Sequence, residues 1–269
     1  MKAKFIVLAP YELNILTTII DSILLNLASF IIIGDKKKIR LLCLKYNLNY
    51  NLLQIYDEIG DINICLKLEE LINEKSIDYV LVGDVQKDLV MQVLAKTHQN
   101  VLTNFYLLSV NNKLSFGLSY LENSIDFENE ALAILESKMF LNKLGLLPNK
   151  IVLINDNRQT YNKDYELTKM YLQRLGVNDK IYTHYGLMDL INIGRFSKEL
   201  DSFSLVYLPN KSYLEILLHQ QNIDVKTCQI ALTNNHHMLL ATGNTSKDIL
   251  FSIFLFNKFT KQNAFVNAI

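Results

Sequence analysis

The chain has 269 residues, half of them hydrophobic, and its 27 lysines and arginines balance 27 aspartates and glutamates. This length and apolar content suit one large α/β domain or two smaller ones, and the net charge of zero argues against a dedicated binder of nucleic acid or of an anionic membrane surface. Cys43, Cys65 and Cys228 are not spaced as a metal or redox motif, so they predict buried, reduced thiols and a cytoplasmic protein.

Short, continuous apolar runs predict strands buried on both faces of a parallel sheet, because a half-exposed antiparallel strand would alternate. The runs lie at 4–9, 30–33, 79–82, 150–155, 204–208, 229–233 and 238–242. Helical patterns occupy 11–27, 36–46, 65–76, 86–97, 128–145, 161–175, 211–221 and 245–261. Strands and helices that alternate in this way predict an α/β fold with three αβα layers and mostly parallel sheets.

Two stretches need a separate interpretation. Asp21 and Asn26 interrupt the apolar stretch 15–33, which therefore predicts a helix followed by a strand and not a membrane span. Residues 100–126 alternate better between apolar and polar and carry Asn-Asn-Lys between two apolar runs, which indicates a hairpin.

The sequence also predicts how the chain divides into domains. We place one domain crossing near residue 127 and the return near residue 235. The prediction is a discontinuous first α/β domain (1–126 plus 235–269) and an inserted second α/β domain (127–234).

One turn pattern, Gly-Asp/Asn-x-x-Lys, follows three of the predicted strands. It occurs at 34–38, 83–87 and 243–247. In an open α/β sheet, ligands collect where strands end and helices begin, and a helix N-terminus offers unpaired amides and a partial positive charge to an anion. The alternative interpretation is local, because Asp or Asn before a helix is a good N-cap and glycine relieves the turn.

The second and third turns carry the most hydrogen-bond donors, so they are the preferred candidates for an anion site. The expected contacts are Gly83, Asp84 and Lys87 in the second turn, and Thr242, Gly243, Asn244, Thr245 and Ser246 in the third. No metal site is predicted, because adjacent strand residues such as His236 and His237 point to opposite faces. The sequence also lacks the serine-hydrolase, P-loop and dinucleotide-binding motifs.

Four segments carry a resemblance to a known family. They are "FIIIGDKKKI" (30–39), "SIDYVLVGDVQKDLVMQVL" (76–94), "ESKMFLNKLGLLPNKIVLIN" (136–155) and "LLATGNTSKDILFSI" (239–253). Taken in order, they resemble the phosphate acetyl/butyryltransferase family, whose fold is related to that of the isopropylmalate dehydrogenases. For the fold, the resemblance implies a cleft between the two predicted domains. The resemblance implies reversible transfer of a short acyl group between acyl phosphate and coenzyme A, with coenzyme A as co-substrate and no tightly bound cofactor.

The resemblance also suggests roles for individual residues. A carboxylate must take the proton of the coenzyme A thiol, and Asp248 lies where acetyl-transferring members place theirs, although it could equally be a first-turn carboxylate that stabilises its own helix. Members of the family commonly dimerise through the second domain, which makes a homodimer an expected partner state. No nucleic acid or membrane partner is expected.

Two departures from the family motifs keep other hypotheses open. Val82 stands where the family has a lysine, and Thr242 stands where it has an arginine, which removes a bidentate clamp for phosphate. The second hypothesis is therefore a catalytically silent relative that binds an acyl-CoA, a nucleotide or a protein partner. A third, an oxidoreductase of the related dehydrogenase fold, lacks an evident acidic metal cluster.

Overall fold

The structure is a computed structural model of the chain. It describes residues 2–74, 77, 79–95, 103–110, 113–121, 126–155, 163–200, 202–209, 211–218, 225–232, 237–240 and 245–266.

The elements follow one another along the chain as alternating strands and helices, apart from one hairpin in the middle, two consecutive helices in the second half and another hairpin near the end. The first part comprises β1 (Lys4–Leu8), α1 (Leu13–Leu24), β2 (Ser29–Gly34), α2 (Lys36–Lys45), a 3-10 turn (Tyr50–Leu52), β3 (Ile55–Asp57), α3 (Asp61–Glu74), β4 (Tyr79–Val82), α4 (Lys87–Ala95), β5 (Thr103–Val110) and β6 (Lys113–Leu121). The remainder comprises α5 (Phe127–Lys143), β7 (Lys150–Leu153), α6 (Lys163–Arg174), β8 (Lys180–Tyr182), α7 (Leu187–Ile191), α8 (Ile193–Leu200), β9 (Ser204–Tyr207), α9 (Lys211–Leu218), β10 (Val225–Leu232), β11 (His237–Leu240) and α10 (Ser246–Val266).

The chain forms two compact units that divide at different residues from the predicted domains. Unit 1 comprises Met1–Asn100 and Cys228–Ile269, and unit 2 comprises Val101–Thr227. The hairpin of β5 and β6, which we predicted in the first domain, lies in unit 2, because β6 pairs in parallel with β9 of that unit. Hydrogen bonding between strands distant in the chain therefore decides where this hairpin belongs.

The sheet of unit 1 is mostly parallel, with its strands in the order β3-β2-β1-β4-β11-β10. The strands β2 and β4 flank β1 in parallel, and β11 continues the parallel pairing on the far side of β4. By contrast, β10 runs antiparallel to β11, although the apolar run 229–233 predicts a parallel strand. Only residues 233–236 separate these two strands, which is too few for the crossover that parallel neighbours need.

The core of unit 1 forms on both faces of its central strand. Every side chain of β1 after Lys4 is buried, and Phe5 contacts the rings of Phe30 and Tyr79 at 5.5 and 5.3 Å between centroids. The helices α1 and α10 pack against each other, as do α3 and α4. Because the central strand is buried on both faces, its run of apolar residues is continuous, as the sequence predicted.

The strands of unit 2 lie in the order β5-β6-β9-β7-β8, and all pairs except the β5–β6 hairpin are parallel. Buried aromatic residues hold its core together: Phe116 stacks on Phe196, and Phe105 meets Phe140 edge to face. The α/β class with mostly parallel sheets is confirmed. Within the described part of the chain, no helix is long and apolar enough to cross a bilayer.

The sequence patterns missed several short elements. The edge strands β3 and β8 have three residues each and are only partly buried, so neither contains the long apolar run that identifies a central strand. The helices α7 and α8 were also not predicted, and α7 has only five residues.

Candidate functional site

Unit 1 contains a cavity where the chain changes direction across the sheet. The strands β1, β2 and β3 follow one another toward one edge, and the chain then returns to place β4 on the opposite side of β1. Ligands of open α/β sheets bind at the carboxyl ends of strands at such a switch point. A cavity of about 700 Å³ lies there, and the described residues that line it belong to unit 1: Tyr11, Asp35, Lys38, Ile59, Gly60, Asp61, Ile64, Val82, Gly83, Asp84, Val85, Gln86 and Lys87.

The second of the three predicted turns forms one wall of this cavity and is attached to the end of β1. The amide of Gly83 donates to the Leu8 carbonyl, and that of Asp84 donates to the Ala9 carbonyl, each at 2.9 Å. A β-carbon on Gly83 would lie 2.5 Å from the Ala9 oxygen and 2.7 Å from the Leu8 oxygen. Glycine is therefore required here because two backbones approach closely.

The first turn lies on another side of the cavity, and its helix is capped by the protein itself. The Asp35 carboxylate accepts from the amides of Lys37 and Lys38 at 2.8 and 3.0 Å. The Asp57 carboxylate, at the end of β3, accepts from the amide of Lys36 at 2.9 Å. The local interpretation, in which the aspartate after glycine is an N-cap, is therefore what the structure has at this turn.

The start of α4 is also bound by a carboxylate, but not by that of the neighbouring Asp84. The amide of Gln86 donates to Asp61 Oδ2 at 3.0 Å, so a residue 25 positions earlier supplies this contact. Asp84 is exposed, and its side chain is turned toward the first turn, where it forms an ion pair with Lys38. Amides at two helix starts thus already have protein acceptors.

Lys38 and Tyr11 link the two turns across the cavity. Lys38 Nζ lies 3.7 Å from the centroid of the Tyr11 ring and 3.6 Å from Asp84 Oδ2. The Tyr11 hydroxyl accepts a hydrogen bond from the amide of Asp35 at 2.8 Å. Burial is the main cause that raises the pKa of Tyr11. The hydrogen bond from the backbone amide of Asp35 lowers this pKa, and the nearby carboxylates raise it further. Tyr11 thus remains a neutral phenol at physiological pH.

Charged side chains of both signs line the cavity. Among the described lining residues are two lysines, Lys38 and Lys87, and three aspartates, Asp35, Asp61 and Asp84. Two of these carboxylates already accept hydrogen bonds from backbone amides, and the third pairs with Lys38. Apolar side chains of β4 and α3 complete the wall. The cavity can thus hold a small molecule with both a charged and an apolar part.

The predicted site residues fall into two groups. In the second turn, Gly83, Asp84 and Lys87 line the cavity. In the third, Thr242, Gly243 and Asn244 lie outside the described residues, Thr245 and Ser246 are exposed at the start of α10, and Asp248 belongs to the first turn of that helix. The described part of the chain therefore joins the first and second turns in one cavity, whereas the sequence favoured the second and third.

Several residues that line the cavity were not among the predicted site residues, and four of them make the polar contacts described above: Tyr11, Asp35, Lys38 and Asp61. Lys38 and Asp35 did belong to the repeated turn pattern, but nothing local distinguished that turn from a capped helix. Asp61 and Tyr11 follow strands whose carboxyl ends meet only once the strand order is known. No group of three or more histidine, cysteine or acidic side chains suited to a metal ion occurs among the described residues.

Comparison with known proteins relates the fold to two groups of enzymes. No family model matches the chain, and no curated protein matches its sequence. A branched-chain phosphotransacylase from Enterococcus faecalis V583 has a similar structure, with a TM-score of 0.71, 12% identity, and coverage of 95% of this chain and 99% of that one. A phosphotransacetylase from Streptococcus pyogenes gives a TM-score of 0.68 and 12% identity, covering 97% and 94%.

A 4-hydroxythreonine-4-phosphate dehydrogenase from Klebsiella pneumoniae is nearly as similar. Its TM-score is 0.65 at 10% identity, and the match covers 97% of this chain and 99% of that one. The phosphotransacylase fold that the sequence resemblance implied is therefore supported over almost the whole chain. At this identity the likeness establishes the fold alone, and two chemistries share it.

Proposed function

We propose that the chain is a diverged phosphate acyltransferase that moves a short acyl group between acyl phosphate and coenzyme A. The observation that carries this proposal is the cavity of unit 1, which places Lys38 and Lys87 at the switch point of a fold shared with phosphotransacylases. A phosphoryl group is negatively charged, so two ammonium groups at this position favour its binding. The cytoplasmic location and the homodimer belong to the same proposal.

The reaction also needs a group that takes the proton of the coenzyme A thiol, and we assign this role to Asp248. The strand β11 pairs in parallel with β4, with Leu240 beside Val82, so the segments that follow both strands start at the same edge of the sheet. As the thiol sulfur attacks the acyl carbon, its proton passes to the carboxylate, and the bond from carbon to the phosphate oxygen breaks. Donors in 242–246 would stabilise the charge on the carbonyl oxygen.

A second candidate is a relative that binds these ligands without catalysis. The observation that favours it is the use of helix-start amides by the protein's own carboxylates, Asp35 and Asp61. Those donors no longer offer a strong site for a transferring phosphoryl group. Thr242 in place of an arginine weakens phosphate binding further, because a neutral hydroxyl replaces a planar cation.

An assay with purified protein separates these candidates. Acetyl, propionyl and butyryl phosphate are each supplied with coenzyme A, and formation of the thioester is followed by its absorbance. The proposal predicts turnover with at least one of the three, and its loss in Asp248→Asn. The matched control is Asp88→Asn, which removes the same charge from the first turn of α4 at a position outside the cavity lining and should retain activity.

The second candidate predicts a different pattern. Thioester would not form with any of the three acyl phosphates, while calorimetry would still detect binding of coenzyme A. Turnover that is equal in the wild type and Asp248→Asn would leave the reaction in place but remove Asp248 as its base.

A further inference from the structure

The arrangement around Lys38 distinguishes this lysine from its neighbours in the sequence. Lys36, Lys37 and Lys38 are consecutive and all exposed, yet Lys38 is the member of this run that lines the cavity. Its ammonium group lies between the face of the Tyr11 ring, at 3.7 Å, and a carboxylate oxygen of Asp84, at 3.6 Å. A ring face and an anion on two sides hold the ammonium at the cavity while leaving it partly open to solvent.

Backbone amides near Lys38 are not available to replace it as the anion ligand. Its own amide and that of Lys37 donate to the Asp35 carboxylate, and the amide of Gln86 on the other turn donates to Asp61. These three amides therefore already have acceptors, and an anion that enters between the two turns meets side-chain charges there instead. Among the described residues that line the cavity, Lys38 and Lys87 carry cationic side chains.

The ion pair with Asp84 can be exchanged at little cost. The side chain of Lys38 is 49% exposed and that of Asp84 is 65% exposed, so water screens their attraction. The turn that carries Asp84 is held by backbone bonds to Leu8 and Ala9, which do not depend on its carboxylate. The carboxylate is thus free to turn to solvent when a stronger anion arrives.

We propose that Lys38 is the residue that binds the phosphate group of the ligand, and that Asp84 is its internal counter-ion, which the phosphate displaces. The choice of a phosphorylated small molecule as ligand rests on the proposed function. A phosphate carries more charge than a carboxylate and three strong acceptor oxygens, so it competes well for one ammonium group. Asp84 then lowers the affinity of the empty site for phosphate and discriminates against weaker anions such as carboxylates.

Calorimetric titration with inorganic phosphate and with acetyl phosphate tests this proposal in the 269-residue chain. Lys38→Met should weaken binding of both by about tenfold or more, because a charge-assisted hydrogen bond is lost. Lys37→Met is the matched control, since it removes an equal charge from the same helical turn, and it should stay within about twofold of the wild type because screening weakens a solvated charge away from the cavity. Lys38→Arg should keep most of the affinity.

Removing the charge of Asp84 should have the opposite effect on phosphate affinity. A gain in affinity cannot result from misfolding of the variant. Asp84→Asn should tighten phosphate binding by about three- to fivefold, since the competing ion pair is removed. Asp88→Asn, which removes one negative charge on α4 away from the cavity lining, should leave the affinity nearly unchanged. The proposal fails if Lys38→Met and Lys37→Met weaken phosphate binding equally. It also fails if Asp84→Asn binds phosphate no more tightly than the wild type, or if neither the wild type nor Asp84→Asn binds phosphate.

These outcomes can be separated from those of the acyltransferase assay. Phosphate binding that follows the expected pattern without any thioester formation would support the role of Lys38 and overturn the catalytic proposal. Turnover whose KM for acyl phosphate is equal in Lys38→Met and Lys37→Met would support catalysis and overturn the role of Lys38.

Discussion

Replacing Gly83 with alanine would place a methyl group against the end of β1. The new β-carbon would lie 2.5 Å from the Ala9 oxygen and 2.7 Å from the Leu8 oxygen, whereas ordinary contact begins near 3.4 Å. Both contacts are with backbone atoms, which cannot rotate away as a flexible side chain could. The turn must therefore move away from β1.

The size of the effect follows from what this movement breaks. Overpacking costs about 1–3 kcal/mol of stability. The backbone hydrogen bonds from Gly83 to Leu8 and from Asp84 to Ala9 each stabilise the folded state by about 1 kcal/mol. Alanine also lowers the conformational entropy of the unfolded chain, which stabilises the folded state by up to about 1 kcal/mol. We expect the free energy of unfolding of Gly83→Ala to fall by about 3 kcal/mol in total.

Urea denaturation followed by far-ultraviolet circular dichroism measures this change. Gly60→Ala is the matched control, because Gly60 has a φ of +84° but no atom within 4 Å of its β-carbon position. Its cost is only that of a left-handed residue, about 1–2 kcal/mol. If Gly83→Ala is no less stable than Gly60→Ala, the close approach of the two backbones does not determine this turn.

Three further predictions concern capping, reactivity and the core of unit 2. Asp35→Ala removes the acceptor at the start of α2, so the free energy of unfolding should fall by about 1 kcal/mol, and Asp35→Asn, which keeps a capping oxygen, should lose less. Burial is the main cause that raises the pKa of Cys65 to about 11. Alkylation of this thiol by iodoacetamide in the folded protein should therefore be slow at pH 8 and accelerate as the pH approaches 11. Rapid labelling at pH 8 would contradict its burial. Phe140→Ala should cost about 3–5 kcal/mol in urea denaturation, because this buried ring packs edge to face on Phe105, and a loss below about 1 kcal/mol would mean that the two rings do not pack as described.

The amino-acid sequence alone determined the class of the fold, because hydrophobic periodicity is a local property. The continuous apolar runs at 30–33 and 79–82 became β2 and β4, and the helical patterns between runs became helices with shifted ends. The turn pattern likewise located strand ends correctly at Gly34 and Gly83. The resemblance of four segments to phosphate acetyl/butyryltransferases pointed to a fold that structural comparison supports.

Only the tertiary structure decided which of these strand ends meet. The order of the strands places the turns after β2 and β4 on either side of the end of β1, and Lys38 thereby reaches Asp84, which is 46 positions away in the sequence. The tertiary structure also decided which carboxylate binds the start of α4: Asp61 accepts from the amide of Gln86, where the turn pattern alone suggested Asp84. Strand order depends on pairings between distant segments, and the residue pattern within one segment does not determine which strand lies beside it in the sheet.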